Sequence, residues 1–186
     1  MRRFQLRKTV ALVATLNLAF FFVEFTFAQI FDSLALLSDS LDFLEDASIN
    51  LLILLAMAWS LQARRKVSYL LALVLLLPGV VFIVQAISRF NNPEQPDGFG
   101  MSLVGLGALA VNFYCALLLT SHKSDVEGLA KAAYLSARND ALANVLIIFA
   151  GVLTLFWSSQ IPDLVIGLII FSMNFDAARQ VLRAPK

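Results

Sequence analysis

Six long apolar runs, separated by short polar or basic connectors, set the pattern of this 186-residue chain. MRRFQLRK leads into Thr9–Ile30, long enough as a helix to cross a hydrocarbon core of about 30 Å. That run exceeds a signal-peptide core and lacks a small-residue cleavage site, so it is expected to stay as a helix. The second run extends from about Leu34 to Ser60 and stops at QARRK, where Arg64, Arg65 and Lys66 cluster. Val67–Ser88 forms a third, with Pro78-Gly79 as an expected kink, and a polar loop with two prolines covers Arg89–Gly100. Met101–Thr120 is the fourth, Ala132–Trp157 the fifth and Leu164–Val181 the sixth. The pattern predicts an all-α membrane protein of six transmembrane helices, residues 1–186 making one transmembrane domain with no soluble domain. Lys and Arg gather in the amino terminus, QARRK, the His122–Lys131 connector and the carboxyl terminus, whereas the opposite loops hold only Arg89. By the positive-inside rule both termini are expected to be cytoplasmic.

The second run is not uniformly apolar. Ser33–Asn50 reads SLALLSDSLDFLEDASIN, and at about 100° per residue Asp39, Asp42, Glu45 and Asp46 fall within roughly a third of the helix circumference. Asp42 and Asp46 stack one turn apart. Each charge at a bilayer centre costs at least about 2.5–3.5 kcal/mol, so this face requires cations, protons or water. The fifth run carries KAAYLSARNDALAN, in which Ser136, Asp140 and Asn144 line one stripe. Asp140 lies roughly 12 Å in from the cytoplasmic end at about 1.5 Å per residue, the depth that Asp42 and Asp46 reach from the other side. Two helices thus offer three carboxylates at one level, an oxygen-rich set that suits a divalent ion once its protons leave.

Other polar groups surround that level. Asn17 and Glu24 lie seven residues apart on nearly one face of the first helix, turned toward the acids or, for Glu24, hydrated near the far interface. Asn112 on the fourth helix is expected to be buried and to need a partner, while Gly105 and Gly107 permit close helix approach. Asp39, Glu45, Asn50, Glu24 and Asn144 are read as a supporting polar or proton path. Arg138 points away from Asp140 and is expected to snorkel to the headgroups or, alternatively, to pair with an acid such as Glu45, and Asn139 stands about a quarter turn off the ligand stripe.

Composition narrows the class further. Hydrophobic residues make up 60% of the chain and charged ones 15%, with a mean hydropathy of +0.81. The net charge of +1 says nothing about partners, whereas the placement of the charges does; no nucleic-acid role is expected. A single cysteine, Cys115, excludes an internal disulfide and a cysteine-cluster metal site, and is expected to pack as a small apolar residue. No cofactor is expected; the intramembrane acids point to a divalent cation and protons as partners, and the apolar runs to the lipid bilayer. The location expected is a bacterial-type inner membrane.

SLALLSDSLDFLED resembles the second helix of the cation diffusion facilitator family of metal efflux transporters, in which a SxALLAD segment precedes a metal-binding H/D-x3-D pair. Asp42 and Asp46 match that pair and Asp39 the aspartate before it; AYLSARND matches the family's AYLHxxxD region, with Asp140 on its aspartate. Asn17, Glu24, Asn112 and PDLVIGLIIF also fit. The resemblance implies proton-coupled efflux by alternating access, a homodimer, and a metal site of Asp42, Asp46, Asp140 and the residue at position 136. This sequence has Ser136 where the family has histidine, only His122 in the loop between the fourth and fifth helices, and no cytoplasmic domain after the sixth. An oxygen-rich site suits manganese, iron(II) or cobalt, and zinc or cadmium if water or a carboxylate fills the fourth position. Two other readings are a non-transporting metal-binding or scaffold subunit, and a prenyltransferase-like enzyme in which Asp39, Asp42 and Asp46 form a D-x2-D-x3-D magnesium-pyrophosphate motif without its second half.

Overall fold

The computed structural model describes residues 2–56, 79–120 and 129–183, with side chains described over 7–55, 79–119 and 139–173. Within them lie α1 (Arg2–Ile30), α2 (Leu34–Ala56), α3 (Gly79–Asn91), α4 (Gly98–Thr120), α5 (Leu129–Phe156) and α6 (Ile161–Arg183). No strand occurs among the described residues. The expected ends of the second run beyond Ala56, most of the third, and the kink at Pro78 lie outside the described residues.

Local chemistry explains where the helices begin and end. α4 starts three residues before the expected Met101 because Asp97 caps it, its carboxylate accepting the N–H groups of Phe99 and Gly100 at 3.1 Å each. α1 ends in a Schellman turn in which Ser33 N–H returns to the Ala28 carbonyl at 2.9 Å. The left-handed position of that turn is Asp32, with φ 53°, and its carboxylate meets the Arg89 guanidinium of α3 at 2.7 Å. Ser33 then caps α2, its hydroxyl oxygen accepting the Leu36 N–H at 3.1 Å.

That cap is completed from the far end of the chain. Asp163, in the first turn of α6 and itself buried, accepts the Ser33 hydroxyl at 2.6 Å and the N–H groups of Leu34 and Ala35 at 2.7 and 3.0 Å. Gly167, one turn on, lies so close that a Cβ there would sit 2.8 Å from the Leu34 carbonyl carbon. The carboxylate therefore answers three donors that have no water to turn to.

α1 packs on α2 and α4, α4 on α5, and α6 on α2 and α5, while α2 touches α5 and α4 only lightly. α3 joins through Phe82, whose ring stacks on Phe171 of α6 at 4.3 Å, and through Gln85, which donates to Gln29 of α1. α4 and α5 approach to backbone contact: a Cβ on Gly151 would collide with the Ser102 hydroxyl and with the Gly98 carbonyl at 2.6 Å. Gly105 and Gly107 serve the same end as expected, facing Ile147 and Ile148 of α5 and Phe20 of α1.

The polarity of the molecule is inverted relative to a water-soluble protein. Leu12, Phe22, Leu103, Phe113, Val145 and Phe149 face outward, whereas Asn17, Glu24, Asp39, Asn112, Asp140 and Asn144 are buried. Among the described residues Arg7–Ile30, Gly98–Leu119 and Asn139–Phe156 are long and apolar enough to cross a membrane. α2 is as apolar as its neighbours apart from its four acids, Asp39, Asp42, Glu45 and Asp46. This is a multi-pass integral membrane protein.

Replacing Asp163 by alanine strips three donors of their acceptor. Asp163→Ala is expected to destabilise the detergent-solubilised protein by at least about 2 kcal/mol, and Ser33→Ala by about 1 kcal/mol. Thermal unfolding followed by circular dichroism measures both, and an unchanged midpoint for Asp163→Ala would remove the cap from this account.

Candidate cation site

The buried polar side chains of four helices meet around α2. Asn112 of α4 donates its amide to the Asn144 side-chain oxygen of α5 at 3.0 Å, and Asn144 donates in turn to the Asp39 carboxylate of α2. Glu24 of α1 turns inward, fully buried, with its carboxyl facing Asp39 and Asp42. The hydrated alternative for Glu24 is therefore not the arrangement found. Asn17, one face with Glu24, donates to Asp46 at 3.5 Å and accepts from the buried Cys115 thiol at 3.8 Å. Cys115 packs among Val13 and Leu119, as expected of a small apolar residue.

The ligand candidates lie beside this ladder. Asp42 and Asp46, both half-buried on α2, each interact electrostatically with the buried Asp140 of α5. One Asp140 oxygen, Oδ2, is buried without a hydrogen-bond partner. Glu45 is half-buried next to Asp46. Asn50 is buried, but its amide bonds the Asp46 backbone carbonyl at 2.8 Å and so serves its own helix turn. Asn139 is exposed, in keeping with its place off the stripe. The Ser136 and Arg138 side chains lie outside those described. Among the described residues no three His, Cys, Asp or Glu side chains converge tightly enough to hold one ion.

Electrostatics makes this arrangement expectant of positive charge. Two like unit charges about 5 Å apart repel by roughly 3 kcal/mol at an effective dielectric of about 20, and burial adds the loss of hydration. Acids facing one another from α1, α2 and α5 are compatible with a stable fold only when protons or cations share the space. Such a region can take up a cation, exchange it for protons and orient it between two lightly packed helices.

Two features escaped the sequence. Asp163 reads in sequence as part of a connecting turn, although its position after Ile161-Pro162 at a helix start is where an acid meets helix N–H groups. Arg89, the sole basic residue of its side, is an internal clamp: besides Asp32 it reaches Glu94 at 4.0 Å, and its carbonyl accepts from Gln160 at 3.3 Å.

The family model for the cation efflux transmembrane domain matches residues 10–184. This chain belongs to the cation efflux family. Members of the family are transporters and not enzymes, which sets the prenyltransferase-like reading aside. The cation efflux chain is 27% identical over 167 residues to a protein of Bacillus subtilis (strain 168) named cadmium, cobalt and zinc/H(+)-K(+) antiporter, covering 80% of this chain and 53% of that protein. It is 26% identical over 178 residues to the zinc transporter ZitB of Escherichia coli (strain K12), covering 88% of this chain and 56% of the relative. The chain thus spans about half the length of the curated relatives it matches.

The amide ladder is open to a direct energetic test. Asn112→Leu leaves the Asn144 oxygen without its donor and is expected to cost about 1–3 kcal/mol. A double-mutant cycle with Asn144→Leu, read from denaturation in micelles, should return a coupling of about 0.5–3 kcal/mol; additive effects would mean that the two amides do not act together.

Proposed function

We propose that this chain carries divalent transition-metal cations out of the cell in exchange for protons. Asp42, Asp46 and Asp140 would supply the carboxylate ligands, with Ser136 and water completing the shell. The observation that carries the reading is the electrostatic contact between the α2 acids and Asp140 of α5 inside an otherwise apolar bundle. These two helices touch lightly, which leaves room for a hydrated or partly hydrated ion between them. The relatives' names extend to this chain as zinc, cadmium and cobalt, and the oxygen-rich donor set adds manganese and iron(II).

Metal and protons compete for the same oxygens in this scheme. Carboxylates must be free of protons to bind M²⁺, so apparent metal affinity rises with pH and metal uptake releases protons. Proton entry from the far side then displaces the ion, and the two never occupy the ligands together. Both termini lie in the cytoplasm, residues 1–186 act as one transmembrane domain, and the working unit is a homodimer in which each chain carries its own set of carboxylates. Glu45 lies at the edge of the ligand set and hydrates the approach to it.

Flux into proteoliposomes under an imposed pH gradient tests the proposal. Asp140→Asn and Asp46→Asn are each expected to lower metal flux by at least about a hundredfold while the protein remains folded by circular dichroism. Wild-type flux should collapse when the gradient is dissipated. Full transport by either variant would overturn the ligand assignment, and binding without flux for every ion would favour a non-transporting metal-binding subunit.

A further inference from the structure

α1 and α2 bury a pair of carboxyl groups that the divalent site does not use. Glu24 and Asp39 are both 0% exposed, and their carboxyls lie against each other. Neither oxygen of Glu24 meets a donor, and of Asp39 only Oδ2 does, through Asn144; its Oδ1 has none. An ionised carboxylate only accepts hydrogen bonds, so two of them face to face cannot satisfy each other. Three acceptor oxygens are thus aimed into a space that supplies no hydrogen.

The surroundings offer no relief. The charged groups that face the pair are themselves acids, Asp42 from α2 on both members and Asp140 from α5 on Asp39. The buried arginine among the described residues, Arg89, is engaged with Asp32 near the ends of α1 and α3. Among the described residues no cation faces the pair, so a bound proton or ion is what would balance it. A shared proton needs only two of these oxygens, whereas a hard divalent ion takes six or more; an alkali ion would need further oxygens or water beside them.

We propose that Glu24 and Asp39 form a second cation site, distinct from Asp42, Asp46 and Asp140, that holds one monovalent charge between α1 and α2. The occupant is a proton shared by the two carboxyls or an alkali ion in the same place. A shared proton turns one carboxyl into a donor and the other into its acceptor, while an alkali ion bridges the same oxygens. Either occupant fixes α1 to α2, and through Asn144 and Asn112 it reaches α5 and α4. Asn144 stands one helical turn from Asp140, so the charge state of this pair bears on the helix that carries a divalent ligand. The charge argument concerns the buried pair itself and does not rest on which ion the protein carries.

Infrared difference spectroscopy on proteoliposomes of the full chain tests the site, with choline as the sole monovalent cation. A protonated-carboxyl carbonyl stretch is expected in the wild type, absent from Glu24→Gln and from Asp39→Asn, and retained in Asp140→Asn. Adding potassium or sodium distinguishes the sources: a band that bleaches identifies an alkali ion, and one that persists identifies a proton. In parallel, Cd²⁺ titration calorimetry should find Asp140→Asn weaker than Glu24→Gln by at least roughly tenfold. Two results would overturn the proposal: a band that neither Glu24→Gln nor Asp39→Asn removes, or a Cd²⁺ affinity in Glu24→Gln that falls as far as in Asp140→Asn. Wild type that binds no Cd²⁺ would instead count against the transport reading and leave the infrared result standing.

Discussion

A helix that starts inside a membrane protein presents its first N–H groups where no water can reach them, and the fold must find them an acceptor. Here the acceptor of α2 is a carboxylate 130 residues further along the chain. Asp163 fixes the origin of α2, and α2 carries every acid of the second run. From that origin the helical repeat decides which acids face α1, which face α5 and how deep they lie. The placement of Asp39, Asp42 and Asp46 is in this sense a property of α6.

The other half of the site is held by a different means. α4 and α5 meet through Gly98, Ser102 and Gly151, so dispersion and close backbone approach take the place of side-chain bulk. Small residues at that seam bring Asn112 and Asn144 within hydrogen-bonding distance and set the level of Asp140. Two helix pairs, one joined by a cap and one by a glycine seam, face each other across a polar interior. An acid on one side and amides on the other are what join them.

Periodicity and charge made the larger features legible. The apolar runs Thr9–Ile30 and Met101–Thr120 end where α1 and α4 end; α1 begins seven residues earlier, at Arg2, and Asp97 draws the start of α4 back three, to Gly98. Spacing puts Asn17 and Glu24 on one face of α1 and leaves Glu24 open between that interior and the hydrated interface, while a polar Asn112 deep in an apolar helix has few places to point but inward. Its partner does not follow from spacing, since Asn144 also lies on the ligand stripe and pairing across helices depends on rotation about each axis. Asp163 and Arg89 were hidden for a related reason. Both act between segments distant in sequence, and neither interrupts a hydrophobic run.

The turn at Asp32 carries a consequence for sequence variation. Its backbone, in the left-handed region, favours glycine or asparagine, and an L-residue with a Cβ stands there at a cost of roughly 1–2 kcal/mol. Its side chain, however, neutralises an arginine whose own side chain is only 10% exposed. Glycine would relax the backbone and strand the guanidinium; glutamate would keep the charge and lose the local backbone tolerance that aspartate has. Aspartate satisfies both demands, which binds the choice at position 32 to the choice at position 89. Drift at this corner is thereby confined to paired changes, and a chain that gave up the arginine would be free to give up the aspartate as well.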